Sequence, residues 1–343
     1  MACAAGTAVR NRHIAAADYS ARVTRTRIPD EVLDAAHARA RARAERDWPE
    51  ADRLRGLIEA AGWRIADRGT DFALTPAAPP TLEDAGLVRY GSSADVPSRL
   101  AGPTTGPLTV VLVATDWPDD LARAITALRA TTPERTQLVV VAEGPSAEQE
   151  ARLAEPDGGK GDRPAEIVRT SARLGQAAAV NIGVRRADGG VVIVMDTSVE
   201  PTGDVATPLA GALEDPTVGV AGGWGLVSED LRRFHEAPPG DVDAIEGYLL
   251  AFRRADAAAR GPLDERFRFY RNLDIWWSLV LRDEGDDRPP RRAVAVEVPA
   301  IRHEHRGWTS VAEAERDRLS KRNFYRIIDR FGHRLDLGSA ERD

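Results

Sequence analysis

From Leu108 onward the chain places short runs of branched apolar residues between longer amphipathic stretches: "LTVVLVA", "QLVVVA", "AEIVR", "VVIVM" and "VGVAG". None of these runs alternates with polar residues, as a half-exposed strand would, so both faces of each are expected to be covered. Strands of that kind, separated by helical stretches, build a mostly parallel sheet flanked by helices. The expected fold class is therefore α/β. Open sheets of this class bind ligands in the crevice beyond the carboxyl ends of the strands.

Three of those ends carry an acid. Asp116 follows "TVVLVAT", Glu143 follows "LVVVA" and Asp196 follows "VVIVM". A single acid at a strand end is commonly a turn or cap residue. Three at one sheet edge point instead to a polar site.

At 343 residues the chain exceeds one domain of roughly 150 residues, and its composition changes twice. Residues 1–75 read as a small N-terminal helical module. Its clearer helix has Pro49 at the first position, Leu54, Leu57, Ile58 and Ala61 as a stripe, and Gly62 as its end. Residues 76–107, rich in Pro, Gly and Ser, read as a linker, and residues 108–335 as the catalytic domain. The polar stretch 153–164 reads as a solvated loop, since its glycines and Lys160 lack P-loop spacing. Near the end, "AEAERDRLSKRNFYRIIDRFG" reads as a charged helix with Leu319, Phe324, Ile327, Ile328 and Phe331 available for packing.

A net charge of -7 gives no general reason to expect nucleic acid as a partner, which needs a basic surface. No apolar run reaches the roughly 18 residues of a membrane span, and the opening "MACAAGTAVRNRH" has no signal-peptide core. Cys3 is the one cysteine, so no intrachain disulfide forms and a cytoplasmic location is expected. Oligomeric state is left open, a homo-oligomer included.

Taken in order, "TVVLVATDWPDDLARAITALRA", "LVVVAEGPS", "LGQAAAVNIGVRRADGGVVIVMDTS" and "GYLLAFRRADAAARGPLDERFRFYRNLDIWWSLVLRDEG" resemble the GT-A fold glycosyltransferases of family 2. The resemblance spans residues 108–330 or so. It implies a Rossmann-like GT-A sheet and inverting, metal-assisted transfer of a hexose-type sugar from a nucleoside-diphosphate sugar to an acceptor hydroxyl. The acceptor it implies is left unidentified, with a saccharide, a glycolipid and a small molecule all open.

Site residues follow from the same resemblance. Asp116 and Glu143 match the family's nucleotide-contacting positions. Asn181 falls in the family's donor-side helix motif, here "RLGQAAAVNIG", in which Arg173 replaces the first Asn. The family's Asp-x-Asp, which binds Mn²⁺ or Mg²⁺ at the donor diphosphate, appears as "DTS", with Asp196 retained and Ser198 in place of the second acid. A hydroxyl is a weaker ligand than a carboxylate for such hard cations. Compensation is expected from His303 or His305 in "RHEHRGW", which match a metal-binding histidine after the last strand.

Leu273, Trp276, Trp277 and Val280 mark a helix with Asn272 as a plausible N-cap, which puts Asp274 in the first turn, where the dipole favours an ionised carboxylate. The resemblance matches Asp274 to the catalytic base. Trp224 and Trp308 are the expected acceptor-binding rings, whereas Trp276 and Trp277 fit a core equally well.

The segment from Ile28 to Leu74 looks like the helical tail of cysteinyl-tRNA synthetases, without the HIGH and KMSKS signatures of their catalytic domain. It implies a module for contacts or domain positioning. Ser198 and Arg173 keep a second reading in play: a catalytically silent nucleotide-sugar binder or scaffold whose N-terminal module contacts RNA or protein.

Overall fold

The computed structural model describes residues 28–69, 71–77, 79–114, 116–154 and 164–338. Cys3 and most of the polar stretch 153–164 lie outside these residues. The described residues form two compact units, those between 28 and 77 with 307–316 and those between 79 and 306 with 317–338.

In the first unit, α1 (Asp30–Ala44) and α2 (Trp48–Ala60) pack as a hairpin, followed by the antiparallel strands β1 (Trp63–Arg68) and β2 (Asp71–Pro76). The Asp47 carboxylate accepts a hydrogen bond from the Glu50 N–H at 3.1 Å, and Pro49 lies just behind it, so α2 starts where the sequence places it. Leu54 and Ile58 are buried, but Leu57 is 51% exposed, because only one edge of the expected stripe meets the small core of Val32, Ala36, Ile58 and Trp63.

The second unit is built on a ten-stranded sheet. Its first strands are β3 (Leu82–Asp84), β4 (Leu87–Tyr90) and β5 (Gly106–Ala114), then β6 (Gln137–Ala142) after helix α3 (Pro118–Thr131). Helix α4 (Ala147–Ala154) leads to β7 (Glu166–Thr170), and α5 (Gln176–Arg186) leads to β8 (Gly189–Met195). Strands β8, β5, β6, β7 and β4 run parallel, with helices against both faces. Burial of β5 from Leu108 to Ala114 and of all of β6 explains their unbroken apolar runs.

The stretch expected as a linker is structured. It supplies β3 and β4 at one end of the sheet, and Arg99 N–H donates to Arg185 O at 2.7 Å. Strands of three and four residues are too short to show periodicity in a sequence rich in turn formers.

Beyond β8 the chain forms β9 (Val199–Pro201), α6 (Ala206–Ala212) and β10 (Val218–Gly222). The short strands β11 (Gly225–Val227), β12 (His235–Ala237), β13 (Gly240–Val242) and β14 (Ala244–Ile245) come next. Strand β15 (Leu249–Arg253) then returns antiparallel to β8, with Leu249 opposite Met195. Helices α7 (Arg254–Arg260) and α8 (Leu273–Arg282) precede β16 (Arg292–Ala295), β17 (Ala300–Arg302) and helix α9 (Glu313–Phe331). Trp276 and Trp277 are core residues, and Leu319, Ile327 and Phe331 of α9 are buried.

Candidate active site

Asp116 and Glu143 extend from the ends of β5 and β6, and both meet the turn that opens α5. Asp116 pairs with the Arg173 guanidinium, and Glu143 accepts a hydrogen bond from the Gly175 N–H. Gly175 has φ +108°, and a Cβ there would lie 2.8 Å from Arg268 Cα, so only glycine brings the backbone this close. Burial pushes the Glu143 carboxyl above its ordinary value against the opposing pull of Gly175, Arg173 and Arg268.

Asp196 ends β8 as expected. Its Oδ1 accepts from the Ser198 N–H at 2.8 Å and from the Ser198 hydroxyl at 2.5 Å, while Oδ2 lies 3.3 Å from His305 Nε2. Burial opposes ionisation of Asp196, but the His305 contact and the two bonds from Ser198 outweigh it and hold the carboxyl below its usual value. Burial likewise opposes charge on His305, yet Asp196 raises its pKa.

The two histidines separate because a ribbon splits them. Strand β17 pairs with β9, His303 N–H continues the ladder to Ser198 O at 2.8 Å, and the His303 ring reaches Glu200 at 2.6 Å. His303 therefore braces the ribbon, and His305 is the histidine at Asp196. Ser198, buried and donating to Asp196, orients the carboxylate rather than standing as a separate ligand.

A shared cation fits this pair. Neighbouring ligands of one ion, bound at about 2.1 Å, stand about 3 Å apart, and a carboxylate with an imidazole suits Mn²⁺. Among the described residues no group of three or more His, Cys, Asp or Glu side chains could hold a metal, so further ligands would come from diphosphate and water.

Asp274 lies in the first turn of α8, where its Oδ2 accepts from the Gly247 N–H at 2.9 Å and its Oδ1 from the Ile275 N–H at 2.9 Å. A Cβ at Gly247 would lie 3.2 Å from Asp274 Cβ. The helix dipole does not decide this acid's state: burial raises its pKa despite the Arg271 charge and the backbone donors. Asn272 has no side-chain cap bond; it starts α8 in the left-handed region at φ +68°.

Glu246, Tyr248, Arg271 and Arg302 complete the edge, and sequence reasoning did not single them out. Tyr248 O accepts from the Asp196 N–H at 2.9 Å. Glu246 pairs with Arg302 at 2.7 Å, and burial raises its pKa, with Asp274 adding to the effect. The Arg302 guanidinium lies 5.0 Å from the Trp224 ring centre and 5.1 Å from that of Tyr248. Tyr270 stacks on His305 with ring centres 4.3 Å apart. The missed signal was direction: the start of an antiparallel return strand lies at the same edge as the end of β8.

Asn181 is buried, donating to Leu263 O at 2.9 Å and to Glu265 at 3.0 Å while its Oδ1 accepts from Leu263 N–H at 2.8 Å, so its amide braces a loop. Trp308 folds with the first unit, where Arg316 covers its ring at 4.6 Å.

Residues 109–270 match the family model described as Glycosyl transferase family 2. The fold is GT-A. It is similar to the crystal structure of GalNAc-T7 with UDP, GalNAc and Mn²⁺, at a TM-score of 0.50 and 17% identity, over 65% of this chain and 47% of that one. The chain thus spans about half the length of that protein. The mannosyltransferase PcManGT from Pyrobaculum calidifontis, solved with GDP-Man and Mn²⁺, aligns at a TM-score of 0.47 and 18% identity over 71% of this chain and 73% of that one. Among curated proteins, cysteine–tRNA ligase 1 of Burkholderia lata is 50% identical over 40 residues, 12% of this chain and 8% of the ligase. No helix among the described residues is long and apolar enough to cross a membrane.

Proposed function

We propose that the chain is an inverting glycosyltransferase that moves a hexose-type sugar from a nucleoside diphosphate to an acceptor hydroxyl. The observation that carries this reading is the Asp196–His305 pair at the edge where Asp274 is held by the Gly247 N–H. Asp116 and Glu143 hold the nucleoside, and Asp196 with His305 holds Mn²⁺ or Mg²⁺. When bound, that cation supplies positive charge to the leaving diphosphate.

Asp274 takes the proton from the acceptor oxygen as that oxygen attacks the anomeric carbon from the face opposite the diphosphate. Its raised pKa makes it a stronger base than an exposed aspartate. Backbone donors on both oxygens fix its direction. Tyr270 restricts the His305 ring, and Trp224, packed edge-on to Tyr248 and under Arg302, is assigned to the acceptor.

Donor hydrolysis across a panel of nucleotide sugars, for the wild type and Asp274→Asn, tests this. The wild type is expected to turn over at least one donor and the variant to lose most of that rate; equal rates would remove Asp274 as the base. The grip of Ser198 on Asp196 favours a second reading, a nucleotide-sugar binder without turnover. Calorimetric donor binding with no hydrolysis of any donor is the result that reading requires.

A further inference from the structure

The helix that carries the candidate base is entered through a turn held from outside the segment that matches the family model. Asn323 of α9 is fully buried, and its side-chain amide donates to Phe269 O at 2.8 Å and to Arg271 O at 2.9 Å. Its oxygen accepts from Arg326 at 3.3 Å. One turn earlier on the same helix, Ser320 O accepts from the Asn272 side chain at 3.0 Å.

The clamped segment, residues 269–272, carries Tyr270 on the His305 ring, Arg271 beside Asp274, and the turn into α8. Asn272 at φ +68° occupies a region that non-glycine residues adopt at a cost. Both carbonyls flanking Tyr270 and the side chain of the strained residue are thus tied to α9.

We infer that Asn323, assisted by Asn272, is a positioning residue that sets Tyr270, Arg271 and Asp274 for the reaction. This rests on the glycosyl-transfer reading only for its catalytic consequence. Asn323 touches no reacting atom; it acts through the loop, and a misplacement of about 1 Å at a reacting group can cost about 10²-fold in rate.

The test uses the full chain and two variants. Asn323→Leu keeps the branched side chain with the same number of heavy atoms and removes both donors, and Asn272→Gly keeps the left-handed turn and removes the bond to Ser320. For a donor that the wild type hydrolyses, kcat is expected to fall by about 10²-fold in Asn323→Leu and by less in Asn272→Gly. The donor KM and the affinity for the matching nucleoside diphosphate should stay unchanged. Should Asn323→Leu fail to fold, Asn272→Gly carries the same split. Unchanged kcat in the folded variants, or kcat falling together with diphosphate affinity, would overturn the assignment.

A readout independent of turnover separates this from the glycosyl-transfer reading. Histidine ring signals in NMR, with His305 assigned through His305→Ala, are shifted by the stacked Tyr270 ring and should move in both variants. If they move but no nucleotide sugar is hydrolysed, the clamp stands and the transfer reading falls. If they stay in place, the clamp falls.

Discussion

The two halves of the sheet edge are built in different ways. On the parallel half, Asp116 and Glu143 follow long buried strands directly, and a single turn, residues 173–175, partners both with a guanidinium and a backbone N–H. On the return half only Asp196 ends a parallel strand; Glu246 precedes β15, Asp274 opens α8 and His305 hangs from the β9–β17 ribbon. The parallel half is a local scaffold. The return half gathers acids from distant points of the chain; burial lifts Asp274 and Glu246 above their ordinary pKa values, as it does Glu143 on the parallel half, the condition in which a carboxylate can work as a base.

The largest expected effect breaks that contrast on the return side. Asp274→Asn should lower turnover by roughly 10²- to 10⁴-fold while nucleoside diphosphate affinity, proposed to rest on Asp116, Glu143 and the Asp196–His305 pair, is kept. The pH profile gives the sign: a base with a raised pKa stays protonated at acid pH, so the rate rises with pH and its acid limb lies above the ordinary aspartate range near about 3.9. Arg271 pulls that pKa down and Glu246 faces the same acid, so Arg271→Ala should move the limb to higher pH.

A smaller effect should separate the two histidines. His305→Ala is expected to weaken Mn²⁺-dependent diphosphate binding, read by calorimetry, by roughly 10- to 100-fold, and His303→Ala by less because its ring serves Glu200. Equal losses would mean that the ribbon as a whole, and not His305, makes the site.

The same contrast explains what the sequence could show. Asp116, Glu143 and Asp196 were legible because each follows a run of buried apolar residues, and the helix bearing Asp274 because its apolar stripe is strong. Glu246 and Tyr248 were not, since they precede a strand whose antiparallel direction no local pattern encodes. His303 and His305 looked equivalent, because a ribbon of three-residue strands is too short to announce which of two alternate positions faces Asp196. The resemblance placed Asn181 at the donor, yet its partners are the main chain of Leu263 and the side-chain carboxylate of Glu265, more than 80 residues away and invisible to a local reading.

Asn181 supplies the smallest effect and the sharpest test of the parallel half as scaffold. Asn181→Leu leaves the Leu263 N–H and C=O without their partners in a buried site, which should cost about 1–3 kcal/mol per stranded group in denaturant unfolding. Because the side chain faces the Leu263 loop, calorimetric affinity for a nucleoside diphosphate should stay at the wild-type level. The opposite pairing, with stability kept and nucleotide affinity lost, would return Asn181 to the donor pocket and make the parallel half part of the recognition surface through its helix as well as its strand ends.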